Sequence, residues 1–163
     1  MRKLPVSVIS TLCFIGLALA VEPPAMKEGL WSIHTQSIDN PGNVKHESSR
    51  KICRSHAYDK EVQAKAKNLP GCKVLNENLS GGTFTSESEC TSGQTVIKTK
   101  GTTTFQGDTA THSETHATYT PALYGVSDTR IIMDQKYLGA CPAGTQPGDI
   151  IQADGTVTHT RGH

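Results

Sequence analysis

The stretch Gly29-Leu30-Trp31-Ser32-Ile33-His34-Thr35 sets Trp31 and Ile33 against Ser32 and His34, apolar and polar side chains taking turns. That two-residue alternation predicts a half-buried β-strand. Asp39-Asn40-Pro41-Gly42-Asn43 is a dense turn signal, so Val44 to Cys53 is expected to return as a second strand. The period then changes. From Asp59 to Leu69 the chain is rich in helix formers, with "EVQAKAK" at its centre, and Asp59 is placed to cap the first turn. Pro70-Gly71 stops this helix.

"CKVLNENLSGGTFTSESEC", from Cys72 to Cys90, reads as a hairpin around its glycine pair. A three-residue loop Ser80-Gly81-Gly82 puts Cys72 opposite Cys90 and Lys73 opposite Glu89. Opposed side chains lie close enough to touch, so a disulfide and an ion pair support one register. Val74, Asn76 and Asn78 then share a face with Phe84, Ser86 and Ser88. Glycine supplies the positive φ that the turn demands. A second hairpin follows in "TVIKTKGTTTFQGDTATHSETHATYT". A turn at Gln106-Gly107-Asp108 sets Ile97 against Ala117, Phe105 against Thr109 and Lys100 against Glu114. Its inward face carries Ile97, Thr99, Phe105, Ala117 and Tyr119. Its outward face carries Lys98, Lys100, His112, Glu114 and His116. A last strand is expected around Thr129 to Leu138.

These elements make a mainly β domain, an antiparallel meander forming a curved sheet or half-barrel, with one short α-helix. The strands are rich in threonine and serine. They bury little apolar area, worth ~25 cal/mol per Å², so covalent cross-links are expected to compensate.

The first residues change the picture of where this happens. Arg2 and Lys3 precede an apolar run from Val6 to Ala20, which ends in Ala18-Leu19-Ala20. This is the pattern of a secretory signal peptide cleaved near Ala20. The run is short for a bilayer span, which takes ~20 residues. Residues 1–20 are therefore the expected signal, 21–28 a leader, 29–153 a single domain and 154–163 a flexible tail. Cys13 leaves with the signal. Cys53, Cys72, Cys90 and Cys141 remain, an even set that an oxidising destination turns into two disulfides. With Cys72 bound to Cys90, elimination joins Cys53 to Cys141. No close C-x-x-C pair suggests zinc instead.

Loss of Arg2 and Lys3 brings the 16 basic residues just below the 15 acidic ones. A near-neutral chain has no excess charge to hold nucleic acid or an anionic membrane surface. The periplasm or exterior is the expected location, with an unidentified protein or envelope partner, no transmembrane segment in the mature chain, and a monomeric state.

Candidate chemistry is thin. His112 and His116, in "HSETH", would chelate one ion from adjacent turns of a helix. On a strand they stand ~13 Å apart at ~3.3 Å per residue, and Lys98 and Lys100 opposite would repel a cation. His112, Glu114 and His116 thus offer at most a weak zinc or copper site, with His159 and His163 as tail ligands; a solvated face is the plainer expectation. There is no G-x-S-x-G, P-loop or H-E-x-x-H pattern. Asp128, Asp134 and Asp149 offer material for a carboxylate pair in acid–base work, but nothing selects them, and solvated loop charges are the plainer expectation. Trp31 is a core anchor or, with Phe84 and Tyr119, the wall of a small-ligand pocket in the curved sheet. No cofactor and no enzymatic activity are expected.

The order of motifs resembles a family of bacterial exported proteins, the domain of unknown function family 3617. "GLWSI" at 29–33, "RKIC" at 50–53, Cys72, and Cys90 after a Gly-Gly hairpin carry the resemblance, with the Gly107-Asp108 hairpin and "YLGACPAGTQPGD" at 137–149. It implies a β-rich periplasmic or secreted domain without an established activity, and it supplies no catalytic or binding residues. The resulting expectation is a non-enzymatic envelope protein with a binding or structural role. A carrier of a small apolar ligand is the alternative.

Overall fold

A computed structural model describes residues 21–152 and 154–160. The expected signal segment, 1–20, and residues 161–163 lie outside the described residues. In chain order the elements are β1 (Gly29–Asn40), β2 (Val44–Arg54), α1 (His56–Lys67), β3 (Cys72–Ser80), β4 (Thr83–Ser92), β5 (Thr95–Gln106), β6 (Ala110–Leu123), β7 (Val126–Gly139), β8 (Ile150–Ile151) and β9 (Val157–Thr158). The strands make one open antiparallel sheet in the order β3-β4-β5-β6-β7-β1-β2-β8-β9. The first hairpin is laid down, α1 crosses to the far edge, and a five-strand meander returns until β7 pairs with β1.

Trp31 and Ile33 are buried, as the alternation along β1 requires. With Met26 and Ile52 they form the core, and Tyr58, Phe105, Met133, Tyr137 and Ile150 pack around it. Trp31 is fully buried. Its Nε1 donates to Lys27 O at 2.9 Å, its ring meets Tyr137 edge-on at 5.9 Å, and the Arg54 guanidinium lies 4.8 Å above its centre. Burying one such aromatic removes 150–250 Å² from water, roughly 4–6 kcal/mol before entropy.

The helix starts earlier than its propensity pattern indicates. Ser55, in extended conformation, is the N-cap and accepts from Tyr58 N at 3.2 Å. Asp59 sits inside the first turn, where Arg54 claims both of its oxygens at 2.9 and 3.0 Å. Serine caps as well as aspartate does, and the arginine leaves aspartate no role as a cap. The helix ends at Asn68, whose N–H reaches Ala64 O and Lys65 O. No residue of α1 is fully buried. It is held by Tyr58, by Arg54–Asp59 and by Lys67–Glu77 at 3.0 Å.

Both hairpin turns differ from expectation. Ser80 pairs with Thr83, so the β3–β4 loop has two residues, Gly81 and Gly82, both at positive φ. This is the twist-matched turn that favours two glycines. The shorter loop alone would misalign the cysteines by one position, but a bulge between Val74 and Asn76 restores Cys72 to Cys90 and Lys73 to Glu89. Beyond the bulge the faces exchange: Glu77 and Leu79, not Asn76 and Asn78, lie opposite Ser86 and Phe84. In the β5–β6 hairpin Gln106 pairs with Ala110, leaving Gly107-Asp108-Thr109 as the loop. Every partner moves by two: Ile97 faces Tyr119, Phe105 faces Thr111, and Lys100 faces His116. Lys100 finds Glu87 at 3.0 Å instead of Glu114, which pairs with Arg130 at 2.7 Å. An even shift keeps every side chain on its face, so the inward and outward sets stand while their contacts change.

Cys72–Cys90 spans 18 residues with Cα atoms 4.0 Å apart, and Cys53–Cys141 spans 88 with Cα atoms 5.7 Å apart. The expected loose tail is docked over its described part. Ile150-Ile151 pairs with both β2 and Val157-Thr158, and His159 Nδ1 lies 3.0 Å from Asp149.

Candidate functional site

Odd-numbered residues of β5, β6 and β7 point to the side of the sheet that α1 covers. Two rows of the ladder matter: Phe105, Thr111 and Gln135 in one, Thr103, Ser113 and Met133 in the next. The leader passes along one side of these rows. It is secured by Met26 in the core, by Lys27 N donating to Asp108 O at 2.9 Å, and by His56 Nε2 donating to Met26 O at 2.9 Å. His56 N also donates to Glu28 at 2.8 Å. The helix forms the other wall. Between them lies a cleft of about 390 Å³, with Phe105, Thr103, Thr111, Ser113 and Gln135 as floor. Leader residues Glu22 to Met26 face His56, Asp59, Lys60 and Gln63 across it.

Arg54 joins wall to floor. Beyond its paired bonds to Asp59 it donates from Nη1 to Gln135 Oε1 at 3.1 Å. Gln135 Nε2 is left with the Met133 sulfur at 3.6 Å, a weak acceptor. Thr103 and Ser113 share one hydrogen bond of 2.9 Å. Thr111 is buried and its Oγ1 has no hydrogen-bond partner. The floor is thus rich in hydroxyl and amide groups with unused capacity.

Trp31, Phe84 and Tyr119 are not brought together. Trp31 lies beneath Arg54 in the core and does not line the cleft. Phe84 lines a shallower hollow beneath the C-terminal half of α1, with Val74 and Lys67. Tyr119 stands at the other end of the sheet, donating to Thr129, which donates to Asp39 at 2.7 Å. Thr129 and Tyr137, the neighbours of Tyr119 and Trp31, are roughly 25 Å apart along β7 at ~3.3 Å per residue.

His112 and His116 lie on the opposite, outer face. His112 Nδ1 meets Asp134 at 2.7 Å and its Nε2 meets Glu114 at 3.5 Å, whereas His116 meets Asp128 at 3.4 Å. The Asp134 bond, then Glu114, raises the His112 pKa above its usual 6.5. Arg130, then His112, holds Glu114 below its ordinary range. Asn40 and Ser127 do the same for Asp128. His112 and Glu114 are brought together, whereas His116 turns to Asp128, and among the described residues no cluster of three or more His, Cys, Asp or Glu is placed to hold a metal ion. Asp149 is no solvated loop charge. It is buried, and the Gln146 N–H at 2.8 Å, seconded by His159, lowers its pKa.

One protein family matches this chain over most of its described length. Residues 26–141 match the profile of a protein family of unknown function, DUF3617. The chain belongs to DUF3617. The match runs from the core methionine of the leader to the last cysteine, so in this DUF3617 chain it contains both disulfides and most of the cleft. No curated protein matches the chain. The two disulfides fit an oxidising compartment. Among the described residues no helix is long and apolar enough to cross a membrane.

The inward parity of β5 and β6 reveals Phe105 in sequence, and the same parity contains Thr103, Thr111 and Ser113. Arg54 and Gln135 carry no such signal. Their meeting depends on β7 pairing with β1 and on α1 crossing the sheet.

Proposed function

We propose that this chain is an exported, non-enzymatic domain of the bacterial envelope that acts by binding, with the cleft under α1 as its binding place. Export rests on the pattern of residues 1–20 and on the bridges. The cleft carries the binding reading: three separate segments enclose it, and a volume of about 390 Å³ falls within the ~300–1,000 Å³ of small-molecule sites. A non-enzymatic role is supported by chemistry at the cleft, where the half-buried Arg54 and Asp59 are committed to each other. Native mass spectrometry of the chain isolated from envelope extracts tests this. A small-molecule adduct on the disulfide-bonded protein, absent from Ser113→Trp, is the expected result. A chain that always carries only its own mass removes the cleft as a binding place.

A further inference from the structure

The cleft's lining speaks to the kind of ligand. We infer, resting on the binding reading above, that it takes a small uncharged molecule bearing hydroxyl or amide groups, with one apolar face against Phe105.

Three observations converge. The first is unused hydrogen-bonding capacity on adjacent strands. Thr111 and Gln135 are directly opposed across β6 and β7. Thr111 Oγ1 has no partner, and Gln135 Nε2 has only a thioether. A buried hydroxyl without a partner is costly, and a thioether replaces an oxygen acceptor poorly. Oγ1 is sealed from solvent in this conformation. Thr111 lines the cleft, and rotation between staggered χ1 wells would move the oxygen to another side of its Cβ. In the adjacent row, the Thr103–Ser113 pair uses one O–H in its mutual bond and keeps the other for a ligand acceptor.

The second observation concerns charge. Arg54 is a half-buried cation of the cleft, at 15% side-chain exposure, and Asp59 a half-buried anion at 16%. They face each other in a two-point bond, and the arginine also lies on Trp31. An anionic ligand reaches Arg54 only by displacing Asp59, and a cationic ligand reaches Asp59 only by displacing Arg54. At the rim, Glu22 and Lys60 again offer opposite signs.

The third is the division of the lining. Phe105 supplies the one benzene ring of the floor, amid threonine, serine and glutamine, while the apolar residues Pro23, Pro24, Ala25 and Met26 line the leader side. The polar floor redirects the apolar-carrier alternative toward a polar ligand. One aromatic platform with hydroxyl and amide partners suits a sugar or a short capped peptide.

Backbone-amide NMR titration of the disulfide-bonded chain decides it. The neutral probes are maltose, N,N′-diacetylchitobiose and acetyl-alanyl-alanine amide. Chitobiose without its acetyl groups is the cationic control, cellobionate the anionic one and octan-1-ol the apolar one. At least one neutral probe should shift Thr103, Phe105, Thr111, Ser113 and Gln135, with the charged controls about tenfold weaker or worse. Thr111→Val should weaken that probe about 2- to 10-fold, the loss of one hydrogen bond, while its Tm stays equal or rises. Octanol binding in the cleft without any polar probe, or charged controls binding as well as neutral ones, overturns the inference and leaves the binding reading standing. So does undiminished affinity in Thr111→Val. Absence of cleft shifts with every probe overturns both.

Discussion

His112 carries the pH dependence that the described structure makes most explicit. It is partly exposed on the outer face, and two carboxylates favour its protonated form, Asp134 ahead of Glu114. A histidine with a raised folded pKa contributes stability that is fully present below its unfolded value near 6.5 and is lost as pH rises through the folded pKa. The Tm difference between the native chain and His112→Gln should therefore be largest under mildly acidic conditions and fade above neutrality. Histidine NMR titration should place its midpoint above 6.5, and Asp134→Asn should bring it down. A midpoint unchanged by Asp134→Asn would remove the assigned cause. Asp149 has the opposite sign: its lowered pKa keeps it charged, and its contribution disappears only as pH falls through that depressed value.

Among the elements, the β3–β4 hairpin and the start of β1 show two different reasons for glycine. Gly81 has φ +57°, and a Cβ placed there meets nothing within 4 Å. Substitution costs only the left-handed backbone, so Gly81→Ala should lose about 1–2 kcal/mol. Gly29 has φ +138°, and its Cβ would collide with the Gly139 carbonyl oxygen on β7. Gly29→Ala must therefore separate two paired strands and should cost clearly more. Urea unfolding of both variants, with the bridges intact, measures the difference; equal losses would mean that the β1–β7 contact yields easily. The bulge in β3 belongs to the same scale. β3 is an outer strand exposing Val74, Leu75 and Leu79, and a bulge breaks the regular edge that another chain could pair with.

Across the whole molecule, the sheet is wide and its core small, so cross-links matter according to the chain they enclose. In the loop-entropy account the bridge over 88 residues is worth roughly 4–5 kcal/mol and the bridge over 18 about 3 kcal/mol. Replacing Cys53 and Cys141 by alanine should therefore cost more than replacing Cys72 and Cys90. Cys53 is also buried beside the core and holds the segment that leads to β8. The larger loss should show in the urea midpoint, and in faster hydrogen exchange of β2 and β8 for the first pair alone. An equal loss for both pairs would place the stability in local packing rather than in chain closure.

Read alone, the sequence determined the elements that rest on neighbours along the chain. Alternation marks β1, glycines mark turns, and the face occupied by each residue of β5 and β6 follows from a period of two that an even slip leaves intact. The paired cysteines also declared themselves, since Lys73 and Glu89 mark the same alignment. What tertiary structure alone decided was everything that depends on distant partners. A bulge rather than loop length aligned Cys72 with Cys90, and Asp59 went to Arg54 rather than to the helix cap. The docking of the leader, α1 and β7 around Phe105 and Thr111 made the cleft. Periodicity is a local property of a chain, whereas a cleft is set by which strands become neighbours, and here β7 found β1 across almost the full length of the domain.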